Sequence, residues 1–260
     1  MLKRRFFYFI PYILGIFFSV NSCVALSNSR LLYWNSEAFE RLSRSESKVD
    51  FYPLSNHFQS QMDSFLCGPT TGAIVLNALR MGKKGKILPE IALNKKYRRY
   101  LKNPKASSIF RYTPENFMDQ RIQKVKTLEE LYGKAINKDQ DFGLQLQQIH
   151  EIFLSHGLKS KIRVVTENLS DETVKSELIS NLKTKDDYVV INYKRSVLGQ
   201  KGFGHISPLG AYDKKTDSFL IMDVNSSKYS WVWVSSKKLI KAMRTFDKVT
   251  NRGYLLLSDS

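Results

Sequence analysis

The chain has 260 residues, of which 42% are hydrophobic and 12% aromatic, and its formal net charge is +17. Such a chain is long and apolar enough to bury a full hydrophobic core, in one or two domains. No internal repeat and no low-complexity segment occurs, which excludes a repeat protein or a disordered chain. The excess of cations makes anionic membranes and nucleic acids the partners to consider first.

The N-terminus has the pattern of an export signal. Three cations at residues 3–5 precede an apolar run at residues 6–20, which is shorter than the roughly 20 residues of a transmembrane helix. We expect residues 1–25 to direct export from a bacterial cytoplasm, to the periplasm or to a membrane anchor. Either Cys23 is lipidated, as in a lipoprotein, or cleavage follows Ala25; an uncleaved anchor is the third option. After either cleavage Cys67 is the one free thiol of the chain.

Two polar segments stand out in the first half of the chain, one before the predicted folded domain and one within it. Residues 26–50 are predicted to be a tether with a short helix, in the stretch "SEAFERLSRSESK". Residues 83–105 hold nine cations and one acid, and they read as a basic insertion. A charge run of this kind is usually a solvated face, and a lid or partner surface is the alternative. Because aromatic residues are sparse there, we expect no nucleic acid as a partner.

The rest of the chain, residues 51–260, predicts an α+β fold in which N-terminal helices pack on a C-terminal antiparallel sheet. Helical spacing of apolar residues marks "LQLQQIHEIFLSHG" and "SDETVKSELISNL", the second capped by Ser170 or Asp171. Strands follow in "YVVINY", "HISPLGAY", "SFLIMDV", "WVWV" and "GYLLL", and the helix "SSKKLIKAMRTF" interrupts the last two.

Three polar residues stand out in these apolar segments: Cys67, His205 and Asp223. The strands that carry His205 and Asp223 are joined by "DKKTD", a short hairpin connection. Directly opposed residues of a hairpin have a constant sum of residue numbers, and a turn near Lys214 and Lys215 gives sums of 428 to 430. His205 and Asp223 sum to 428, so they are predicted to be opposite or one diagonal step apart, on one face. A carboxylate placed there orients the imidazole and fixes its tautomer.

Cys67 precedes small residues and an apolar run, which predicts a thiol at the start of a helix. The positive end of the helix dipole lowers the pKa of such a thiol and favours the thiolate. Gln61, six residues upstream, can place its side-chain amide beside the Cys67 backbone N–H to bind an oxyanion. Each residue also has a purely structural interpretation: a buried cysteine, a hydrogen-bonded core histidine and a turn-forming aspartate.

These segments resemble the catalytic domain of phytochelatin synthases, and more particularly the short prokaryotic members. The similarity is carried by "QMDSFLCGPTTGAIVLNAL", by the stretch from "VINYKRSVLGQKGFGHISPLGAY" to "SWVWV", and by "RGYLLLS". The resemblance implies a papain-like fold with Cys67 as nucleophile, His205 and Asp223 as its partners and Gln61 in the oxyanion hole. It also implies substrate contacts by Asn192, Arg195 and Arg252.

The resemblance further implies a reaction. The Cys67 thiolate attacks the Cys–Gly bond of glutathione, glycine leaves, and the γ-Glu-Cys acyl group passes to a second glutathione or to water. We expect hydrolysis to dominate, because no cysteine-rich segment follows the domain. No tightly bound cofactor is expected; Cd²⁺ or Zn²⁺ would activate as metal–glutathione thiolates, and a homodimer is one option. The alternatives are a general papain-like peptidase and a basic, membrane-tethered binding protein with an inactive cleft.

Overall fold

The computed structural model of the chain describes residues 31–103, 108–120, 122–134 and 141–259. The predicted export signal and Cys23 lie outside the described residues. Within those residues no helix is both long and apolar enough to cross a membrane.

The centre of the fold is a seven-stranded antiparallel sheet in the order β1-β8-β7-β6-β5-β9-β4, and β2 and β3 form a separate two-stranded sheet. The strands are β1 (Leu32–Tyr33), β2 (Glu90–Ala92), β3 (Ser108–Phe110), β4 (Leu158–Val164), β5 (Asp187–Lys194), β6 (Gly204–Asp213), β7 (Ser218–Ile221), β8 (Val232–Ser235) and β9 (Gly253–Asp259). The five strands predicted from the sequence are β5 to β9. β1 and β4 add an edge strand on each side.

The described residues form ten α-helices. They are α1 (Ser36–Arg44), α2 (Phe51–Asn56), α3 (Cys67–Arg80), α4 (Lys95–Arg98), α5 (Pro114–Phe117), α6 (Leu128–Leu131), α7 (Leu146–Ser155), α8 (Asp171–Asn181), α9 (Arg195–Leu198) and α10 (Ser236–Met243). Local sequence explains their ends. The Ser170 hydroxyl accepts a hydrogen bond from the Thr173 N–H at the start of α8, and Gly157 adopts φ 78° just after α7.

Helices cover both faces of the sheet. On one face α3 and α7 pack in a core with Ile206 of β6 and Leu255 of β9. On the other face α8 and α10 pack against β5, β7 and β8. This arrangement confirms the predicted α+β class. It differs from the prediction in one respect, because α8 and α10 form a second helical layer behind the sheet.

Residues 32–44, which the sequence predicts as part of a tether, belong to the folded unit. β1 pairs with β8, and Ala38 and Leu42 of α1 are buried against Ala211, Leu220 and Trp233. The tether prediction is therefore wrong for this stretch. The spacing of Ala38 and Leu42, four residues apart on one helical face, already indicates an amphipathic helix that needs a surface to pack against.

Candidate active site

Cys67 is the first residue of α3 and is buried next to Ile206 of β6. Burial alone would raise the pKa of the Cys67 thiol. Four other interactions lower the pKa of Cys67 and outweigh burial. They are the charge of His205, a hydrogen bond with its imidazole, and hydrogen bonds from the backbone N–H groups of Ile206 and Gly68. The site therefore favours the thiolate, which is the reactive form.

His205, the second residue of β6, lies between the thiol and a carboxylate. Its Nε2 donates a hydrogen bond to Asp223 Oδ1 at 2.9 Å, which leaves Nδ1 for Cys67. Burial would lower the pKa of His205, but the negative charges of Asp223 and Cys67 raise it. A lowered thiol pKa beside a raised imidazole pKa favours proton transfer from the thiol to the imidazole. The structure thus brings together the three residues that the sequence singles out.

A β-bulge puts His205 and Asp223 on the same face of the hairpin. Near its turn, Asp213 pairs with Ser218, which is a sum of 431 and outside the predicted range. With that register the two side chains would lie on opposite faces of the sheet. The register shifts between Leu209 and Ala211, and beyond the shift the sum is 430. His205 and Asp223 are then one diagonal step apart on one face.

Arg195, the first residue of α9, forms an ion pair with Asp223, the partner of His205. Its Nη1 lies 2.7 Å from Asp223 Oδ2, and its Nη2 donates to Asp223 Oδ1 at 2.9 Å. Gln200 accepts from Nη1 at 2.8 Å, and the Tyr229 ring lies 4.9 Å from the guanidinium. The family resemblance implies instead that Arg195 contacts the substrate. That role stays a prediction, and the observed contacts favour orienting Asp223.

Asn192 and Arg252 meet at a second polar cluster near the start of β6. The Arg252 guanidinium lies 2.9 Å from where a side chain on Gly204 would begin, and Gly204 precedes His205 in that strand. Asp247 joins the two residues: its Oδ1 accepts from Arg252 Nη2 at 2.6 Å, and its Oδ2 lies 3.5 Å from Asn192 Nδ2. Among the described residues, Asn192 Oδ1 and Arg252 Nε have no hydrogen-bond partner. These atoms can take up polar groups of a ligand.

Gln61 lies in the loop that precedes α3 and is nearly buried. Its backbone N–H donates to the carbonyl of Val224, the neighbour of Asp223, which fixes the loop against the site. The side-chain Nε2 donates to the Asp63 carbonyl at 2.5 Å. Because a carboxamide nitrogen carries two hydrogens, this bond leaves the second N–H free to bind an oxyanion.

In the parts of the chain that the structure describes, no three His, Cys, Asp or Glu side chains are grouped so that they could hold a metal ion. An action of Cd²⁺ or Zn²⁺ through substrate thiolates stays a prediction.

Comparison with known proteins adds independent information. The family model for phytochelatin synthase matches residues 22–254. Glutathione gamma-glutamylcysteinyltransferase 3 of Lotus japonicus is 29% identical over 80% of this chain and 37% of its own length. The Schizosaccharomyces pombe glutathione gamma-glutamylcysteinyltransferase is 25% identical over 90% of this chain and 49% of its own. The chain thus spans less than half the length of these relatives.

Among solved structures, the chain is similar to the peptidase domain of Streptococcus ComA, a bi-functional ABC transporter involved in a quorum-sensing pathway. The two share 15% sequence identity with a TM-score of 0.38, over 78% of this chain and 98% of that domain.

Proposed function

The chain belongs to the phytochelatin synthase family, and we propose that it is a cysteine-dependent γ-glutamylcysteinyltransferase that acts on glutathione. The observation that carries the proposal is the Cys67–His205–Asp223 arrangement, with its lowered thiol pKa. The substrate assignment rests on family membership and on the polar cluster of Asn192, Asp247 and Arg252 beside it.

The proposed reaction has two steps. The Cys67 thiolate attacks the carbonyl carbon of the Cys–Gly bond of glutathione, and the Cys67 backbone N–H and Gln61 Nε2 hold the oxyanion. The C–N bond then breaks, His205 Nδ1 gives its proton to the amine of glycine, and a γ-Glu-Cys thioester remains on Cys67. In the second step His205 takes a proton from water or from the amine of another glutathione. Attack on the thioester releases the product and regenerates the thiolate.

Recognition of the γ-glutamyl end follows from the charges of the second cluster. That end carries an α-carboxylate and an α-ammonium group, so it needs one cation and one anion close together. Arg252 would bind the carboxylate, Asp247 would accept from the ammonium, and Asn192 Oδ1 would supply a further acceptor. A general peptidase has no need for a paired cation and anion at this position, which favours glutathione over ordinary peptides.

The test is to incubate the purified protein with glutathione, with and without Cd²⁺, and to measure glycine and (γ-Glu-Cys)₂-Gly. We expect glycine from the wild type, mostly with γ-Glu-Cys as the second product, and none from Cys67→Ser. A panel of unmodified peptides is the matched control for substrate class. No glycine release from the wild type would contradict the enzyme assignment, equal release by Cys67→Ser would exclude this nucleophile, and faster cleavage of unmodified peptides would favour the peptidase.

We further propose that residues 1–25 direct export and leave the protein in the periplasm or anchored to a membrane, through lipid on Cys23 in the second case. The cations and apolar run described from the sequence support this proposal. Mass spectrometry of the mature N-terminus distinguishes the alternatives, because a lipidated Cys23 and an N-terminus after Ala25 differ in mass. An intact Met1 would contradict cleavage.

A further inference from the structure

The basic stretch found in the sequence forms an arm that projects from the fold. We define the basic arm as residues 82–103 together with 108–110. None of residues 82–103 is buried. Its strands β2 and β3 pair only with each other among the described strands, and α4 lies between them in the chain. Isolated two-stranded sheets are marginally stable in water, so a partner surface would stabilise the arm.

The charges of the basic arm separate its base from its outer part. At the base, Lys83 lies 2.6 Å from Asp186 and Lys86 lies 2.9 Å from Asp259, which attaches the arm to the body of the protein. Beyond the base, six cations form no ion pair with any described residue. They are Lys84, Lys95, Lys96, Arg98, Arg99 and Lys102. The outer part therefore carries a concentrated positive charge, with Glu90 as the one acid among the described residues of the arm.

Apolar and aromatic side chains are interleaved with these cations. Tyr97 and Tyr100 are exposed in and just after α4, and Ile109 and Phe110 are exposed on β3. Ile87 is 88% exposed, although isoleucine is among the residues most often buried. Cations combined with exposed tyrosine and aliphatic residues are the composition of segments that lie in the interface of an anionic membrane.

From this combination we propose that the basic arm binds the surface of an anionic lipid membrane. Nucleic acid fits the arm less well. Arg99 already lies over the Tyr100 ring at 4.8 Å and donates a hydrogen bond to its hydroxyl at 2.7 Å, which covers one of the faces on which a base would stack. Ile87 and Ile109 have no stacking surface, whereas both can enter the boundary between lipid head groups and acyl chains.

The arm begins at the end of α3 that is farther from the thiol. The arm follows the C-terminal end of α3, while Cys67 is at the N-terminal end of the same 14-residue helix. At 1.5 Å per residue, the two ends are roughly 20 Å apart. Membrane contact at the start of the arm therefore does not require Cys67 to face the lipid. This inference does not depend on the proposed function, because binding needs neither Cys67 nor glutathione.

The experiment compares binding of the full chain to vesicles of phosphatidylcholine alone and to vesicles that also contain phosphatidylglycerol. The readout is the ratio of the two partition coefficients, which cancels any contribution of apolar anchoring common to both. The variant is Lys95→Glu, Lys96→Glu, Arg98→Glu and Arg99→Glu, four exposed positions. Each cation near an anionic surface strengthens binding roughly fivefold, so we expect this ratio to fall at least about tenfold. High salt should lower the wild-type ratio as well.

A matched control carries the same change in net charge away from the arm: Lys159→Glu, Lys214→Glu, Lys215→Glu and Lys237→Glu, also exposed. We expect this control to retain most of the wild-type ratio. Hydrogen exchange with phosphatidylglycerol vesicles should protect amides of residues 94–102 in the control and not in the arm variant. Glycine release from free glutathione, where present in the wild type, should be unchanged in the arm variant.

Two results would overturn the proposal. One is an equal fall of the ratio in the arm variant and the matched control, which would mean that net charge and not the arm governs binding. The other is a wild type without preference for phosphatidylglycerol, which would mean that the arm does not bind an anionic membrane. If that protein binds a labelled single-stranded oligonucleotide through the arm, the arm is assigned to nucleic acid.

Discussion

The Asp223 side chain stays ionised although it is buried, and burial disfavours the ionised form of a carboxylate. It is fully buried, and burial alone would raise its pKa. The charge of His205 and hydrogen bonds from His205 and Arg195 outweigh this effect and lower the pKa of Asp223 to about 2. The carboxylate is consequently ionised throughout the neutral range. It can hold the Nε2–H of His205 and leave Nδ1 to face the thiol.

We predict that Arg195 contributes to stability through Asp223 as its partner. Arg195→Met leaves a buried carboxylate with one partner fewer, and breaking a buried ion pair in this way costs roughly 3–5 kcal/mol of the free energy of unfolding. In an Asp223→Asn background the same substitution should cost much less, because no buried charge remains. Urea denaturation of the two single variants and the double variant measures this coupling.

Lys83→Met is the matched control for Arg195→Met. It also removes the cation of a short ion pair, with Asp186 at 2.6 Å, but both partners are exposed. We expect at most about 1 kcal/mol from this loss. Equal costs for Arg195→Met in the wild-type and Asp223→Asn backgrounds would contradict the predicted role. Glycine release should fall with Arg195→Met and return in part with Arg195→Lys, since lysine can still donate to Asp223.

Individual site residues differ in how far the sequence reveals them. Cys67 and His205 are identifiable because their residue types are rare in apolar segments and have a specific chemistry. The direction of the Arg195 side chain is not encoded in any local pattern, because it depends on how the turn into α9 packs against Tyr229. Asp247 gives no signal either. It is one acid in a polar loop, and only the fold brings it to Arg252.

At the scale of elements, α3 holds the thiol in place because it packs closely on its neighbours. Thirteen of its fourteen residues are buried. Gly72 faces the ring of Phe117 from α5, and a Cβ on Gly72 would lie 2.2 Å from that ring. Phe117 is itself fully buried, in the core that α3 also lines. The absence of a side chain at position 72 therefore sets the distance between α3 and α5.

We predict that Gly72→Ala destabilises the protein, against the usual direction. In a helix interior, Gly→Ala normally stabilises by about 1 kcal/mol, whereas overpacking a core costs roughly 1–3 kcal/mol. The predicted net effect is thus a loss of free energy of unfolding, measured by urea denaturation. The cost should shrink in a Phe117→Leu background, where the clash is relieved. A gain in stability from Gly72→Ala alone would show that the packing argument fails.

Elements differ in predictability for physical reasons. α7, α8, α10 and β5 to β9 follow from the spacing of apolar residues, because that spacing reports which face is buried. β4 carries the same signal: Ser160, Ile162 and Val164 alternate with Lys159 and Lys161, as in an edge strand with one solvated face. The bulge in β6 is different. Gly210 within the strand is compatible with a bulge, but also with the close approach of Met222 that the structure shows.

At the scale of the whole molecule, the sheet separates two hydrophobic cores, and Asp50 is buried at the start of α2. It is 1% exposed, and neither carboxylate oxygen has a hydrogen-bond partner among the described residues. Burial, with the negative charges of Asp187 and Asp186, raises the pKa of Asp50 to about 9. The folded protein accordingly keeps a proton on Asp50 at neutral pH.

This protonation predicts that global stability falls as pH rises. The unfolded chain releases the Asp50 proton near its ordinary pKa of about 4, whereas the folded chain holds it until about pH 9. Between these values the folded state binds one proton more than the unfolded state. The stabilisation that protonated Asp50 adds to the free energy of unfolding is therefore fully present below about pH 4. It is lost at up to about 1.4 kcal/mol per pH unit as pH rises toward 9. Asp50→Asn is neutral in both states and should lack this loss.

The measurement is the free energy of unfolding in urea at about pH 6 and about pH 8.5, for the wild type and Asp50→Asn. Groups other than Asp50 contribute to the pH dependence of both proteins alike, so the difference between the two proteins isolates Asp50. We expect the stability advantage of Asp50→Asn to grow with pH by roughly 3 kcal/mol at most. An equal pH dependence in both proteins would mean that Asp50 is ionised and paired in solution. The ionised Asp50 would then stabilise the folded protein through a charged or hydrogen-bonding partner, and not by binding a proton.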